Sequence, residues 1–212
     1  MKSITVAQTR DMMLHVSDAV IGSKDSLTEI DSAIGDGDHG IGMAGGLAKA
    51  KAKLLETKEF ETVNQVFKTV GRTMLMSMGG ASGVIFGTMI EGGARAAEDI
   101  KTLDCASFTK LMQGSLAAVR KRSDAQLGDK TMLDALIPAV EAMGSAKTDD
   151  LAELLGIAEK AAKQGMENTK KYVAKYGRAK SLMERSLGHQ DAGATSVWII
   201  FNAMKEYLEG LS

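Results

Sequence analysis

The chain has 212 residues, of which 44% are hydrophobic and 25% are charged, with a formal net charge of -1 and an isoelectric point near 6.3. This balance excludes the basic surface by which proteins bind nucleic acid or an anionic membrane. The single cysteine excludes an internal disulfide, and no apolar run has the length of a signal peptide or a membrane span. We therefore expect a single cytoplasmic domain over residues 1–212, without nucleic-acid or membrane partners.

Apolar residues recur at helical spacing along most of the chain, and proline, which interrupts helices, occurs once. This spacing predicts eight helices. The first ends near residue 22, and the next four cover 41–56, 59–78, 84–97 and 106–121. The sixth begins at 132, the seventh extends from 149 towards 176, and the eighth begins after 193. No stretch alternates with a period of two residues, which is the pattern of strands. The sequence therefore predicts an all-α protein without a sheet, in which successive helices run up and down.

Between the first and second predicted helices lies a turn with three aspartates, Asp31, Asp36 and Asp38. No lysine or arginine occurs between Lys24 and Lys49. Carboxylates held this close repel one another, and oxygen ligation of a cation such as Mg2+ relieves that repulsion. The turn is therefore a candidate magnesium site. The alternative is a solvated acidic turn that caps the following helix.

Two better-known motifs fail to account for this turn. Residues 35–40 spell the G-x-G-x-x-G pattern of dinucleotide-binding folds, but Asp36 and Asp38 would repel a pyrophosphate that no cation accompanies. An EF-hand beginning at Asp36 would place Gly40 at its fifth position and Leu47 at its twelfth, where oxygen ligands are required.

The acidic turn leads into a helix N-terminus, which favours an anion such as phosphate.

Three further loops have unusual composition. Residues 79–83 are small and glycine-rich, and form either a phosphate nest or a tight connection, since no Walker lysine follows. Residues 122–131 are polar, and residues 177–193 contain Arg178 in a glycine-flanked loop. In an up-and-down bundle these four loops share one end, which predicts a site for a metal-bound polyphosphate.

Specific motifs fill these four loops. They are Glu29-x-Asp31-x4-Asp36-x-Asp38-His-Gly40, Gly79-Gly-Ala-Ser-Gly83, Gly128-Asp-Lys-Thr-Met132, Gly177-Arg178-Ala179 and Gly188-His-Gln-Asp-x-Gly-Ala194. Together they resemble the nucleotide-binding L subunit of dihydroxyacetone kinases over nearly the full chain. The resemblance implies a single-domain eight-helix antiparallel barrel with the nucleotide and metal site in the loops at one end.

The same resemblance implies site residues. Asp31, Asp36 and Asp38 correspond to ligands of two Mg2+ ions that bridge the phosphates of ADP or ATP, and Arg178 supplies a positive charge during catalysis. The implied nucleotide contacts are His39, Gly40, Ile41, Gly42, Ala81, Ser82, Ser123, Met132, Arg178, Asp191, Ala192 and Gly193. This chain departs from the family pattern at Ser123, where relatives have glycine, and at Ala192, where proline is frequent.

The reaction implied is transfer of the terminal phosphoryl group to dihydroxyacetone, or a related short-chain ketose, held by a separate K subunit. The phosphoryl donor is either a phosphotransferase-system protein that rephosphorylates bound ADP, or ATP consumed as a substrate. The basic residues 170–180 are a candidate contact for the partner. Two other functions stay open: a Mg-nucleotide-sensing interaction protein that regulates a partner without turnover, and a metal-dependent hydrolase.

Overall fold

Helices dominate the computed structural model, which describes residues 1–211. The α-helices are α1 (Val6–Gly22), α2 (Lys24–Ser32), α3 (His39–Glu56), α4 (Val63–Ser77), α5 (Gly80–Ala96), α6 (Cys105–Arg120), α7 (Leu133–Ser145), α8 (Leu151–Asn168) and α9 (Ala192–Glu209). Two strands, β1 (Ser3–Thr5) and β2 (Thr102–Asp104), precede α1 and α6. Two 3-10 helices, Thr169–Lys171 and Arg178–Ser186, lie between α8 and α9.

Eight of the helices form a closed ring. Each long helix packs on the next one along the chain, and α9 returns to pack on α1. The short helix α2 lies outside this ring and packs on α3 and α9. The apolar stripes of all the long helices meet in one continuous core of methionine, leucine, valine and phenylalanine side chains. The predicted all-α eight-helix barrel is therefore confirmed, with α2 as an addition.

Three short elements were not predicted: strands β1 and β2 and helix α2. The prediction that no sheet would form is wrong, because β1 and β2 pair antiparallel, with Ile4 opposite Leu103. Strands of three residues are too short to show a period of two. Helix α2 was also not predicted, because Leu27 is its only buried residue and no apolar stripe marks it. As a result Asp31 lies on a helix rather than in the acidic turn.

Four helix boundaries also differ from prediction. Helix α4 begins at Val63 rather than near residue 59. Helix α5 begins at Gly80, so residues 81–83 belong to its first turn rather than to a flexible loop. Helix α8 ends at Asn168, since the chain tightens into a 3-10 turn there, and does not continue towards residue 176. The side chain of Asp150, rather than that of Asp149 or Thr148, caps α8.

The helix connections lie at two ends of the barrel, as the parity of the helices predicts. At one end, the side chain of Asn64 bonds the carbonyls of Ala94, Ala97 and Glu98, close to the β-ribbon. At the other end, Arg178 of the α8–α9 connection reaches the acidic turn. We call this second end the site end. Within residues 1–211, no helix combines the length and apolarity that crossing a bilayer requires.

Candidate functional site

The three predicted aspartates form one cluster at the site end. Asp31 stands in the last turn of α2, and Asp36 and Asp38 follow in the connection to α3. One carboxylate oxygen from each lies within 4.8 Å of the other two. The amide of His39 donates to Asp31 Oδ2 at 3.2 Å, and the amide of Gly35 donates to the Asp31 carbonyl at 2.5 Å. The turn thus folds around Asp31 and brings the other two carboxylates to it.

The electrostatics of the cluster favour a bound cation. Desolvation raises the pKa of Asp38 above its usual value, and the negative charges of Asp36 and Asp31 raise it further. Arg178 Nε lies 2.9 Å from Asp36 Oδ2, and is the one arginine or lysine nitrogen of the described residues that pairs with this cluster. One exposed guanidinium does not compensate three carboxylates. Three hard oxygen donors this close fit Mg2+ in number and chemistry.

Glycine lets α2 and α3 approach closely enough to form the cluster. Gly37 has a φ of +75°, a backbone conformation that residues with a Cβ rarely adopt. A Cβ on Gly40 would collide with the carbonyl of Lys24 and with Thr28 on α2. The first turn of α3 therefore rests directly on α2, with the acidic turn between them.

Helix N-termini differ between the two ends of the barrel. The four long helices that begin at the far end all have an N-cap side chain that accepts an amide of the first turn, namely Thr5, Thr62, Asp104 and Asp150. At the site end, the N-caps of α3 and α5, Asp38 and Gly79, make no such bond. Asp191 does cap α9 at this end, and the His39 amide of α3 donates to Asp31. The remaining first-turn amides of α3 and those of α5 are therefore available to an anion at the site end.

The His39 side chain points into the barrel rather than towards the acids. It is 7% exposed, its Nε2 lies 2.8 Å from Ser196 Oγ on α9, and its ring packs against Phe86 on α5. Burial lowers its pKa, so the imidazole is neutral near pH 7. The ring therefore anchors α3 to α9, and His39 faces the site through its backbone.

Arg178 begins the second 3-10 helix, after Gly177, which has a φ of +65°. Its side chain is 79% exposed, so apart from the Asp36 pair it is free to move. An open cleft of about 320 Å3 lies beside this pair, and Ser32, Ser181 and Leu182 contribute to its walls.

Among the predicted residues of α9 and the α6–α7 connection, Asp191, Gly193 and Met132 lie close together, whereas Ser123 does not join them. Asp191 caps α9 through a 2.7 Å bond from the Ala194 amide, and burial raises its pKa to about 7. Met132 lies against Gly193, where an added Cβ would come within 3.3 Å of the Met132 Cβ. Ser123 instead accepts a bond from the Ala125 amide inside its own loop, and no described contact ties it to the acids.

Three charged residues near the α6–α7 connection had no role predicted from the sequence: Asp129 and Lys130 in the loop, and Asp134 in the first turn of α7. All three are buried, although aspartate and lysine are seldom buried without a partner. For Asp129 and Lys130, the available signal was their position inside the Gly128-to-Met132 motif. Periodicity could not interpret that motif, because these two residues lie between helices.

The fold and the site together define a class: an all-α barrel whose one end offers a carboxylate cluster for a cation and helix N-termini for an anion. The chain belongs to the DAK2 domain family, which matches residues 33–206.

Curated relatives cover most of the chain. It is 40% identical over 183 residues to the PEP-dependent dihydroxyacetone kinase 1, ADP-binding subunit DhaL, of Listeria innocua, covering 86% of both chains. It is 32% identical over 204 residues to the corresponding PEP-dependent subunit of Escherichia coli, covering 95% of this chain and 97% of the relative. It is also 34% identical to the PTS-dependent subunit of Lactococcus lactis, covering 96% and 98% of the two chains.

A solved structure shares the fold. The dihydroxyacetone kinase from C. freundii, in complex with AMP-PNP and Mg2+, superposes with a TM-score of 0.75 at 22% identity and covers 94% of this chain. This chain spans only 34% of that longer kinase. At this identity the likeness concerns the fold.

Proposed function

We propose that this chain is the nucleotide-binding subunit of a dihydroxyacetone kinase, which holds Mg-ADP or Mg-ATP and passes the terminal phosphoryl group to a short-chain ketose on a separate K subunit. The observation that carries the proposal is the juxtaposition of three carboxylates with two uncapped helix N-termini. A cation site beside amides that bind anions suits a metal-bound polyphosphate. The names of the Listeria and E. coli relatives agree with it.

In this proposal Asp31, Asp36 and Asp38 hold two Mg2+ ions. Their oxygens lie close enough to share cations. Desolvation is the first cause of the raised pKa of Asp38, and repulsion from Asp36 and Asp31, which a cation would remove, is the second. Bound magnesium would neutralise charge on the phosphate oxygens. The protein would contribute the placement of these carboxylates, through the turn folded around Asp31.

The proposed nucleotide contacts are those that the family resemblance implies, and the geometry of the site end supports part of them. The first turns of α3 and α5 would present backbone amides to the phosphates, and Met132 and the start of α9 would line the remainder of the site. The proposed contact residues are His39, Gly40, Ile41, Gly42, Ala81, Ser82, Ser123, Met132, Arg178, Asp191, Ala192 and Gly193. Ser123 has the weakest support, since its recorded contact stays within its own loop.

Arg178 is the proposed catalytic cation. Its pair with Asp36 keeps the guanidinium at the acid cluster, and its exposure leaves it able to move to a phosphoryl group there. A guanidinium at that position stabilises the negative charge that develops on the transferred group.

A partner surface is supported by exposed apolar side chains. In the described part of the chain, seven of the nine large exposed apolar side chains belong to the site end, and we call them the apolar rim: Ile41, Met76, Val84, Leu127, Tyr176, Met183 and Leu187. Such a rim around a polar site suits a docked protein that excludes water. The basic residues 170–180 remain part of the proposed contact, although Lys170, Lys171 and Lys175 already bond groups of this chain.

For the phosphoryl donor we propose a phosphotransferase-system protein that rephosphorylates ADP in place. The relatives named PEP- or PTS-dependent match this chain over 86% to 98% of their own length. By contrast, this chain spans 33% of the L-erythrulose kinase of Pectobacterium atrosepticum. The acceptor is proposed to be dihydroxyacetone or a related ketose.

Calorimetry of the purified chain with ADP, in the presence of Mg2+ and then of EDTA, tests the proposal. We expect saturable binding that requires the metal. Absence of Mg-dependent binding would contradict the proposed function. Chromatography of the denatured protein would reveal retained ADP, which the phosphotransferase route requires and the ATP-consuming route does not.

A further inference from the structure

Lys130, in the loop between α6 and α7, is buried against the α8–α9 connection. Its side chain is 2% exposed, and no other lysine or arginine among residues 1–211 is classed as buried. Its Nζ donates to the carbonyl of Thr169 at 2.7 Å and also to the carbonyl of His189. These carbonyls stand at the two ends of the connection between α8 and α9. One ammonium thus joins the two ends of a segment of about twenty residues.

The surrounding loop holds Lys130 in this inward position. The carboxylate of Asp134 accepts the amides of Gly128, at 2.5 Å, and Thr131, at 2.7 Å. Gly128 and Lys130 both have positive φ, of 92° and 60°. Positive φ is unfavourable for lysine, so the fold maintains this conformation through other contacts.

The charge on Lys130 suits its surroundings. Thr169 is the C-cap of α8, and a cation at a helix C-terminus interacts favourably with its carbonyls. Burial lowers the pKa of Lys130, whereas the charges of Asp191 and Asp134 favour its ammonium form, without a direct ion pair in the described residues. An apolar side chain here would leave two buried carbonyls without this donor.

Other contacts fasten the same segment to the same loop. Lys175 Nζ bonds the buried carboxylate of Asp129 at 2.6 Å, and the Lys175 amide donates to the Asp129 carbonyl at 3.2 Å. Within the segment, the amide of Gly188 donates to the Lys170 carbonyl at 2.8 Å. Arg178 lies between these attachments.

We propose that Lys130 is a positioning residue that clasps the ends of the 169–191 segment and thereby places two parts of the site. Through the segment it holds Arg178 beside Asp36, and through His189 it holds the start of α9 against Met132. Its consequence for ligand binding rests on the proposed function, whereas the clasp itself is a property of the free chain.

Hydrogen–deuterium exchange of the free chain tests the clasp. In Lys130→Met, we expect amides of residues 172–188 to exchange at least about tenfold faster, because the segment opens locally, while amides of α4 and α5 keep their rates. Val66→Ala, in the core of α4, is the matched control, because it destabilises the whole fold without touching the segment. If Lys130→Met does not fold, Lys130→Gln, which keeps N–H donors, replaces it with a smaller increase expected.

Calorimetry with Mg-ADP tests the consequence for the site. We expect Lys130→Met to bind Mg-ADP about tenfold more weakly, with Lys130→Gln intermediate and Val66→Ala close to wild type. If the Lys130 variant that folds exchanges the amides of residues 172–188 at the wild-type rate, the proposed clasp is wrong. Faster exchange with unchanged Mg-ADP affinity would overturn the positioning role. A wild-type chain that binds no Mg-ADP would contradict the proposed function, and the exchange result would still decide the clasp.

Discussion

Asp36 has neighbours of both charges: the carboxylates of Asp31 and Asp38, and the guanidinium of Arg178. An exposed ion pair of this kind contributes little to stability, so the pair matters chiefly for where it keeps Arg178. Repulsion among the carboxylates is likewise a local cost that a cation removes. The proposed metal binding and the placement of Arg178 are therefore linked through Asp36.

Asp36→Asn and Asp38→Asn should abolish Mg-dependent ADP binding and leave the helical fold intact. Each change replaces a charged carboxylate, a proposed metal ligand, with a neutral amide. Neither side chain supports the core, since both are exposed. Calorimetry measures the affinity and circular dichroism the helix content. Asp25→Asn, an exposed change at the start of α2, is the control and should bind as wild type. Unchanged Mg-ADP affinity in both site variants would refute the ligand assignment.

Arg178→Ala should slow phosphoryl transfer by on the order of a hundredfold or more, with little change in thermal stability, because the side chain is largely exposed. Arg178→Lys should recover little of the rate, because lysine lacks the planar fork of donors. Single-turnover assays with the K subunit measure the rate. Arg185→Ala, in the same 3-10 helix but outside the proposed contact at residues 170–180, should transfer at the wild-type rate. A wild-type rate in Arg178→Ala would leave Arg178 as a surface residue.

Asp191 should make stability depend on pH. Burial raises its pKa from 3.8 to about 7, so the folded state binds more protons than the unfolded chain between those values. Its contribution to the free energy of unfolding therefore falls as pH rises through this window. Asp191→Asn keeps a capping oxygen and removes the titration. Urea unfolding at about pH 5 and pH 8 measures this. The free energy of unfolding of Asp191→Asn, relative to that of wild type, should be higher at about pH 8 than at about pH 5.

Asp104→Asn is the control for this pH dependence. Asp104 also caps a helix, but hydrogen bonds from Ser107 lower its pKa, so it stays ionised across the same window. The stability difference between Asp104→Asn and wild type should be the same at about pH 5 and pH 8. An equally constant difference for Asp191→Asn would show that Asp191 has an ordinary pKa.

Helices α2 and α3 form the site by close backbone contact, rather than by interlocking side chains. Gly40, in the first turn of α3, sits where any Cβ would meet the backbone of α2. The backbone is less able to move aside than the end of a side chain. The spacing of these two helices, and with it the position of Asp31 relative to Asp38, depends on this glycine.

Gly40→Ala should therefore lower the free energy of unfolding by roughly 1–3 kcal/mol, the usual cost of overpacking, and weaken Mg-ADP binding. Gly45→Ala, one turn further along α3, meets nothing within 4 Å and should instead stabilise the chain by about 0.5–1 kcal/mol. Urea unfolding of both variants gives the comparison. Equal stability of the two variants would mean that α2 and α3 can separate without cost.

At the scale of the whole molecule, the two ends of the barrel have different features. The far end has capped helices and the β-ribbon, while the site end has the acid cluster, the uncapped N-termini and the apolar rim. The described residues place no second group of acids or metal ligands beside the first. Recognition of a small neutral ketose requires several placed polar partners, which we expect the K subunit to supply.

The chain alone should bind Mg-nucleotide but phosphorylate neither dihydroxyacetone nor erythrulose until a K-type subunit is added. Incorporation of phosphate into the ketose, with and without that subunit, measures this. The rate with the subunit should fall as salt rises, if residues 170–180 steer the encounter. Leu127→Ser, on the apolar rim, should weaken the complex, whereas Leu55→Ser, exposed on α3 away from the site end, should not. Turnover by the chain alone would reject the two-subunit proposal.

The sequence by itself determined the helical barrel and the end that carries the site. Apolar spacing is a local signal, so it located the eight long helices, and their parity placed Asp36 and Arg178 at the same end. Short elements escaped this reading: α2 buries a single side chain, and β1 and β2 have three residues each. Their conformations depend on packing partners: β1 pairs with a strand about a hundred residues away, and α2 packs on α3 and α9.

Only the tertiary structure decided which polar groups face inward. His39 and Lys130 both lie in glycine-containing motifs that the sequence analysis singled out. The His39 ring bonds Ser196, whereas the Lys130 ammonium bonds the carbonyls of Thr169 and His189. Their partners are 39 to 157 residues away in sequence. Burial and hydrogen bonding over such separations depend on how the helices pack, and no local pattern of residue types records that packing.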